Sequence, residues 1–205
     1  MCSVAAVSRY RGNDKDGYMT ELNLKEQKEL LLLARRTIES YLINGTIPEY
    51  TTDNPNLLRK AGAFVTLNKR HALRGCIGNF YAKEPLYKNV QVMAIAAAVE
   101  DPRFRQVTAD ELKDIEIEIS VLSELVKVDS IEEICVGEHG LYVTKGYYRG
   151  VLLPQVATEY GWDRDTFLCE TCVKAGMDQD EWRNGSVKIE RFGAQVFNEK
   201  ELSGK

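Results

Sequence analysis

Two stretches of this chain nearly repeat each other, and that repetition limits the available folds more than any other feature. Gly62-Ala-Phe-Val-Thr66 is followed by Arg74-Gly75-Cys76-Ile77, and Gly140-Leu-Tyr-Val-Thr144 by Arg149-Gly150-Val151-Leu152. The offsets are 78 residues at the leading glycines and 75 at the Arg-Gly pairs. Each unit then runs into a helix-like segment with proline at its start, Pro85 or Pro154. The pattern reads as a duplicated β-hairpin plus helix, repeat one at about 60–122 and repeat two at about 138–199, with a shorter second turn. A lone hairpin leaves unpaired edges. Two equivalent ones can pair about a pseudo-twofold and share one curved sheet, so the expected class is α+β with a single sheet and helices packed outside.

The remaining elements follow from local signals. Asn23 and Glu26 have capping-box spacing, and the apolar positions Leu30, Leu33, Ala34, Ile38 and Leu42 recur at helical intervals until Gly45. Leu86, Val90, Met93, Ala94 and Ala97 form one stripe of a second helix, whose alanines suit close packing on a sheet, and Asp101-Pro102 stops it. Thr108 and Glu111 open a short turn, again with capping-box spacing. Ile115, Ile117, Ile119 and Val121 then alternate with polar residues, as in an antiparallel strand wet on one face. Pro154 begins another helix and Asp163 caps the next, with strands near Val187–Phe192 and Gln195–Asn198. Residues 1–18 read as a flexible polar extension, with Met19 a candidate start, and 200–205 as a tail.

At 205 residues the chain suits one sizeable domain, or one domain with two lobes. Five cysteines are an odd number for a disulfide framework and point to a reducing cytoplasm. The longest apolar run, Val92–Val99, is eight residues, far short of the roughly 20 that span a bilayer. The net charge of −4 disfavours generic nucleic-acid binding. It is unevenly spread: 54–83 holds no Asp or Glu but Arg59, Lys60, Lys69, Arg70, Arg74 and Lys83, so the rest carries −4 − 6 = −10.

Within that basic block lies Leu73-Arg74-Gly75-Cys76-Ile77-Gly78, where a forked cation, a thiol and two glycines fall within six residues. With Gly62-Ala-Phe-Val-Thr66, Asp101-Pro102-Arg103-Phe104, Ser120-Val-Leu122, His139-Gly140 and Leu152-Leu-Pro-Gln-Val-Ala157, this motif resembles the AMMECR domain family over roughly residues 19–199. The resemblance implies an α+β fold with one barrel-like, mostly antiparallel sheet made of two repeats. It implies no established reaction. It also implies a pathway shared with Memo-type and radical-SAM proteins.

Three functions are open at this point. The first, and the favoured one, is a binding or accessory module. Its cleft, lined by Arg74, Gly75, Cys76, Ile77 and Gly78 with Arg103, Pro154 and Gln155, would hold a small anionic ligand or an acidic segment of a partner. The second is a cysteine-dependent enzyme for acyl or amide chemistry. Cys76 would be the nucleophile and His139, brought near by the pseudo-twofold, its base. The third is RNA binding through 54–83 with Phe64, Phe80 and Tyr81 interleaved. Against these stand bland readings: Cys76 as a packed strand residue like its counterpart Val151, and Arg74 as a brace ion-paired to Glu100 or Asp101. Cys169-x-x-Cys172 and Cys135-x-x-x-His139 are too sparse for a metal site and read as packing, so no metal or cofactor is expected.

Overall fold

The computed structural model describes residues 21–202; the proposed extension 1–18 and the end of the tail lie outside them. The described residues divide into two compact units, 21–122 with 195–202, and 123–194.

In the first unit, helix α1 (Leu24–Asn44) starts where the sequence places it. Asn23 Oδ1 accepts the N–H groups of Lys25 and Glu26, and the Glu26 carboxylate accepts the Asn23 N–H at 2.7 Å. Gly45 ends the helix with φ 69°. A short helix α2 (Pro55–Leu58) leads to strands β1 (Ala63–Lys69) and β2 (Ala72–Asn79). Helix α3 spans Leu86–Val99, with Pro85 at the N-cap, one position earlier than expected. After a 3₁₀ turn (Ala109–Asp114) comes β3 (Ile115–Leu122), whose alternate residues Ile115, Ile117, Ile119 and Val121 are buried. β1 pairs antiparallel with both β2 and β3, and β8 (Ala194–Asn198) adds to β3, giving the order β2-β1-β3-β8. Val65 and Leu67 of β1 and Leu86, Val90 and Ala94 of α3 are wholly excluded from solvent.

The second unit holds β4 (Val126–Lys127), β5 (Gly140–Lys145), β6 (Tyr148–Leu152), α4 (Pro154–Glu159), α5 (Arg164–Lys174) and β7 (Lys188–Phe192); the terminal helix α6 is Glu199–Leu202. Its sheet runs β4-β7-β5-β6, with β5 antiparallel to β6 and β7. The core joins Ile134, Leu141, Ala157, Phe167, Leu168, Cys172 and Trp182.

β2-β1-β3 and β6-β5-β7 have the same order and pairing directions. Register corrects the alignment. Leu67 faces Gly75 and Val143 faces Gly150, so Gly140 corresponds to Phe64 rather than Gly62. The expectation of one curved sheet is also corrected, because the strands form two four-stranded sheets. The physical reason is that each hairpin finds its own third strand. The chain-terminal strand β8 then joins the first sheet, while β4 joins the second.

Candidate functional site

The six-residue motif is the second strand of the first hairpin, and each residue has a separate job set by register. Gly75 pairs with Leu67 on the face that α3 covers. A Cβ there would lie 2.1 Å from the Ala97 carbonyl oxygen, so only glycine lets helix and strand approach this closely. Gly150 plays the same part in the second unit, where a Cβ would lie 2.5 Å from the Thr171 carbonyl oxygen of α5. Ile77 pairs with Val65 on the core face. Gly78 lies beneath the Phe64 ring, 2.3 Å from where its Cβ would be.

Arg74 is the extra residue of a β-bulge. Leu67 pairs with Gly75 and Asn68 with Leu73, leaving Arg74 without an opposite number. The bulge aims its guanidinium at Glu111 in a two-pronged ion pair of 3.0 and 2.9 Å, and the carbonyls of Arg105 and Gln106 accept two more bonds. Lys69 also donates to Glu111, at 2.8 Å. Held by Arg74 first and Lys69 next, the Glu111 carboxyl titrates well below the usual carboxylate range. The brace is therefore real, but its acid is Glu111 rather than Glu100 or Asp101. Arg70 reaches Asp114 at 3.5 Å. Much of the basic block thus meets an acidic turn distant in sequence.

Cys76 pairs with Thr66, on the sheet face away from α3, and Glu118 completes that row on β3. Thr66 Oγ1 donates to Cys76 Sγ at 3.2 Å. β2 is an edge strand, and at Cys76 its outward backbone groups are taken up by side chains. The N–H donates to Asp101 Oδ2 at 2.8 Å, and the carbonyl accepts from Arg103 Nη2 at 3.3 Å. Asp101 is buried and grips Arg103 through Nε at 2.9 Å and Nη2 at 2.7 Å, as well as its backbone N–H. Arg103 holds the Asp101 carboxyl far below its ordinary range, and Asp101 in turn raises the guanidinium. The Arg103 side chain is 54% exposed, lies 5.5 Å from the Phe104 ring centre, and has Cys76 among the groups favouring its charged form. Among the described residues, its Nη1 makes no hydrogen bond.

His139 belongs to the second unit. Its Nδ1 accepts the Cys135 N–H at 3.0 Å and its Nε2 lies 3.1 Å from Arg191 Nη1. Burial, then the neighbouring Arg191 charge, push its pKa down to about 4, so the ring is neutral at pH 7. Pro154 is the buried first residue of α4 and Gln155 is half-buried beside it, on a helix only six residues long. Cys172 is a core residue, its thiol pushed up by burial, and Cys169 accepts the Trp182 indole N–H at 3.4 Å. Among the described residues no group of three or more His, Cys, Asp or Glu side chains has metal-holding geometry, and no helix is long and apolar enough to cross a membrane. A hollow on the first unit is lined by Arg35, Glu39, Asp110, Lys113 and Ile115, and no motif residue lines it.

A protein-family model described as AMMECR1 matches residues 31–197. The chain belongs to the AMMECR1 family. Curated relatives include a protein of Pyrococcus furiosus, 47% identical over 181 residues and covering 83% of this chain and 86% of its own, and one of Thermococcus gammatolerans, 45% identical with 83% and 88% covered. The crystal structure of the uncharacterised protein PH0010 from Pyrococcus horikoshii is similar at TM-score 0.80 and 42% identity, over 87% of this chain and 94% of that one. Within this AMMECR1 domain the residues that sequence reasoning missed are Asp101, as the clamp on Arg103 and Cys76, and Glu111, as the partner of Arg74. Glu111 was visible only as a capping residue. Asp101 was visible as one end of an Asp-Pro-Arg triplet whose i, i+2 spacing permits the ion pair.

Proposed function

We propose that this AMMECR1-family chain is a ligand- or partner-binding accessory module whose recognition point is Arg103 beside Cys76. The supporting observation is the geometry of Arg103. Its guanidinium is half exposed, clamped on one side by a buried carboxylate and adjacent to a thiol, with Nη1 uncommitted among the described residues. A preorganised fork of this kind suits a carboxylate or phosphate oxygen, because its orientation is fixed before binding. The occupant is a small anionic ligand or an acidic segment of a partner, with a Memo-type or radical-SAM protein the partner class the family resemblance suggests. Arg74 belongs to the frame of this site, since Glu111 and two carbonyls occupy it.

Nucleophilic chemistry at Cys76 is the second reading. The hydrogen bond from Thr66 Oγ1, which fixes the position of the sulfur, favours it. Among the described residues, no imidazole hydrogen-bonds to Cys76. RNA binding has less support, because Lys69, Arg70 and Arg74 are matched by Glu111 and Asp114.

Alkylation rates at Cys76, followed by peptide mass spectrometry, test the proposal. Iodoacetate carries a carboxylate and iodoacetamide does not. The iodoacetate-to-iodoacetamide rate ratio should fall roughly tenfold in Arg103→Gln, as expected for loss of one charge-assisted contact. Inorganic phosphate should slow only iodoacetate. A ratio unmoved by the substitution and by phosphate sinks the proposal.

A further inference from the structure

The two hairpins present different outer edges, and among the described residues the second is open. β6 ends its sheet, after β4-β7-β5. Lys145 and Tyr148 close a two-residue turn, Gly146–Tyr147, and in such a hairpin the closing pair exchanges both backbone bonds. Alternation then points the N–H and C=O groups of Arg149 and Val151 away from β5. Val151 is the register counterpart of Cys76, since each follows the glycine on which a helix rests. At Cys76 the equivalent outward groups are occupied by Asp101 and Arg103. Among the described residues no side chain does this for Val151. A row of outward backbone groups is a template for another strand.

Charge selects what the strand must be. Arg149 is exposed, and so is Lys174 in the last turn of α5, the part of the helix that rests on Gly150. Neither takes part in an ion pair among the described residues, whereas Lys145 at the turn is already held by Glu181. Tyr148 is 54% exposed and Tyr147 is completely so, which adds apolar grip at the turn end. β6 itself has no acidic residue, so pairing it with β6 of a second copy would gather like charges.

We propose that the free edge of β6 docks an extended acidic segment of a partner protein by strand addition. The segment's backbone pairs with Arg149 and Val151, and its carboxylates meet Arg149 and Lys174. The test uses the full chain and a fluorescein-labelled peptide with glutamates at adjacent positions among valines, so that carboxylates project toward both faces of the sheet, read by anisotropy. Two further peptides carry N-methyl groups on alternate amides, one set on each edge. Binding should weaken at least about tenfold in Arg149→Glu and in Val151→Pro, which removes an outward N–H at a position where an edge strand tolerates proline. One N-methylated peptide should bind and the other should not. No binding, equal binding of both N-methylated peptides, or binding lost in Arg149→Glu but kept in folded Val151→Pro overturns the proposal. So does a concentration-dependent dimer that Arg149→Glu dissolves while the peptide fails to bind. If Val151→Pro loses its circular dichroism spectrum, the N-methylated pair decides.

Discussion

The first and second hairpins share a frame and differ in chemistry. Both place a glycine where a helix rests on the second strand, both pair that glycine with a buried aliphatic (Leu67 or Val143), and both pass to a third strand beside the first. Only the first inserts Arg74 as a bulge, turns through two left-handed residues, and closes its edge with Asp101 and Arg103. Glycines at the helix contact are thus scaffold, common to both units. The ionic pieces around Cys76 are additions to one unit, and they are where function should be sought.

The largest expected effects test the shared frame. Gly75→Ala places a methyl 2.1 Å from the Ala97 carbonyl oxygen, and Gly150→Ala places one 2.5 Å from that of Thr171. Backbone cannot yield as a side-chain end does, so each should destabilise by about 3 kcal/mol or more. Urea unfolding should show the Gly75 variant worse. Near-wild-type stability in either would break the equivalence.

Next comes Asp101→Asn, which strips the charge that Arg103 and two backbone N–H groups surround. A loss of about 2 kcal/mol is expected, as for weakening several hydrogen bonds to one buried charged acceptor. Val151→Ala, at the counterpart of Cys76 on the unguarded edge, should cost about 1 kcal/mol or less. If the two losses match, the edge guard carries no special weight.

A third contrast lies in pH. His139 titrates at about 4 in the fold and near the ordinary histidine value of 6.5 when unfolded. The unfolded chain therefore takes the proton first as pH falls. Stability from the neutral ring is complete above about 6.5 and is lost on the way down to about 4, on the order of 3 kcal/mol over the window. His139→Asn keeps an acceptor for the Cys135 N–H and should flatten the fall in urea midpoint between about pH 6.5 and 5. An unchanged slope would mean that the ring is not held neutral. The depressed Asp101 and Glu111 carboxyls act at lower pH, contributing above the ordinary carboxylate range and losing that contribution as they protonate.

What the sequence made legible was local. The capping boxes at Asn23/Glu26 and Thr108/Glu111 and the alternation of Ile115 to Val121 depend on residues within one turn or one strand. The partner of Arg74 lies 37 positions away and that of the Cys76 N–H 25 away, and no composition or spacing encodes such meetings. The basic block misled for the same reason, since its neutralising acids lie on the turn Ala109–Asp114. A bulge leaves no mark on the hydrophobic pattern, which is why the Arg-Gly pairs looked equivalent when only their glycines are. Splitting into two sheets was hidden too, because it rests on β8 choosing β3, a long-range pairing.

The smallest expected effect sits at the hairpin tips and has opposite signs in the two units. Arg70 (φ 52°) and His71 (φ 66°) both occupy the left-handed region, whereas the second turn uses Gly146 (φ 57°). Two consecutive positive φ angles make a type I′ turn, whose second place favours glycine. A side chain in that region costs roughly 1 to 2 kcal/mol, and glycine returns part of the gain as unfolded-state entropy. His71→Gly should therefore stabilise by about 0.5 to 1 kcal/mol, raising Tm by a few degrees at most for a chain of this size. Gly146→Ala should destabilise by about 1 kcal/mol. The exposed Arg70–Asp114 pair at 3.5 Å is too weak to account for the strained turn. If His71→Gly instead lowers Tm in differential scanning calorimetry, the imidazole supplies a stabilising contact at the tip, and the first turn is specified by its side chains rather than merely tolerated by its strands.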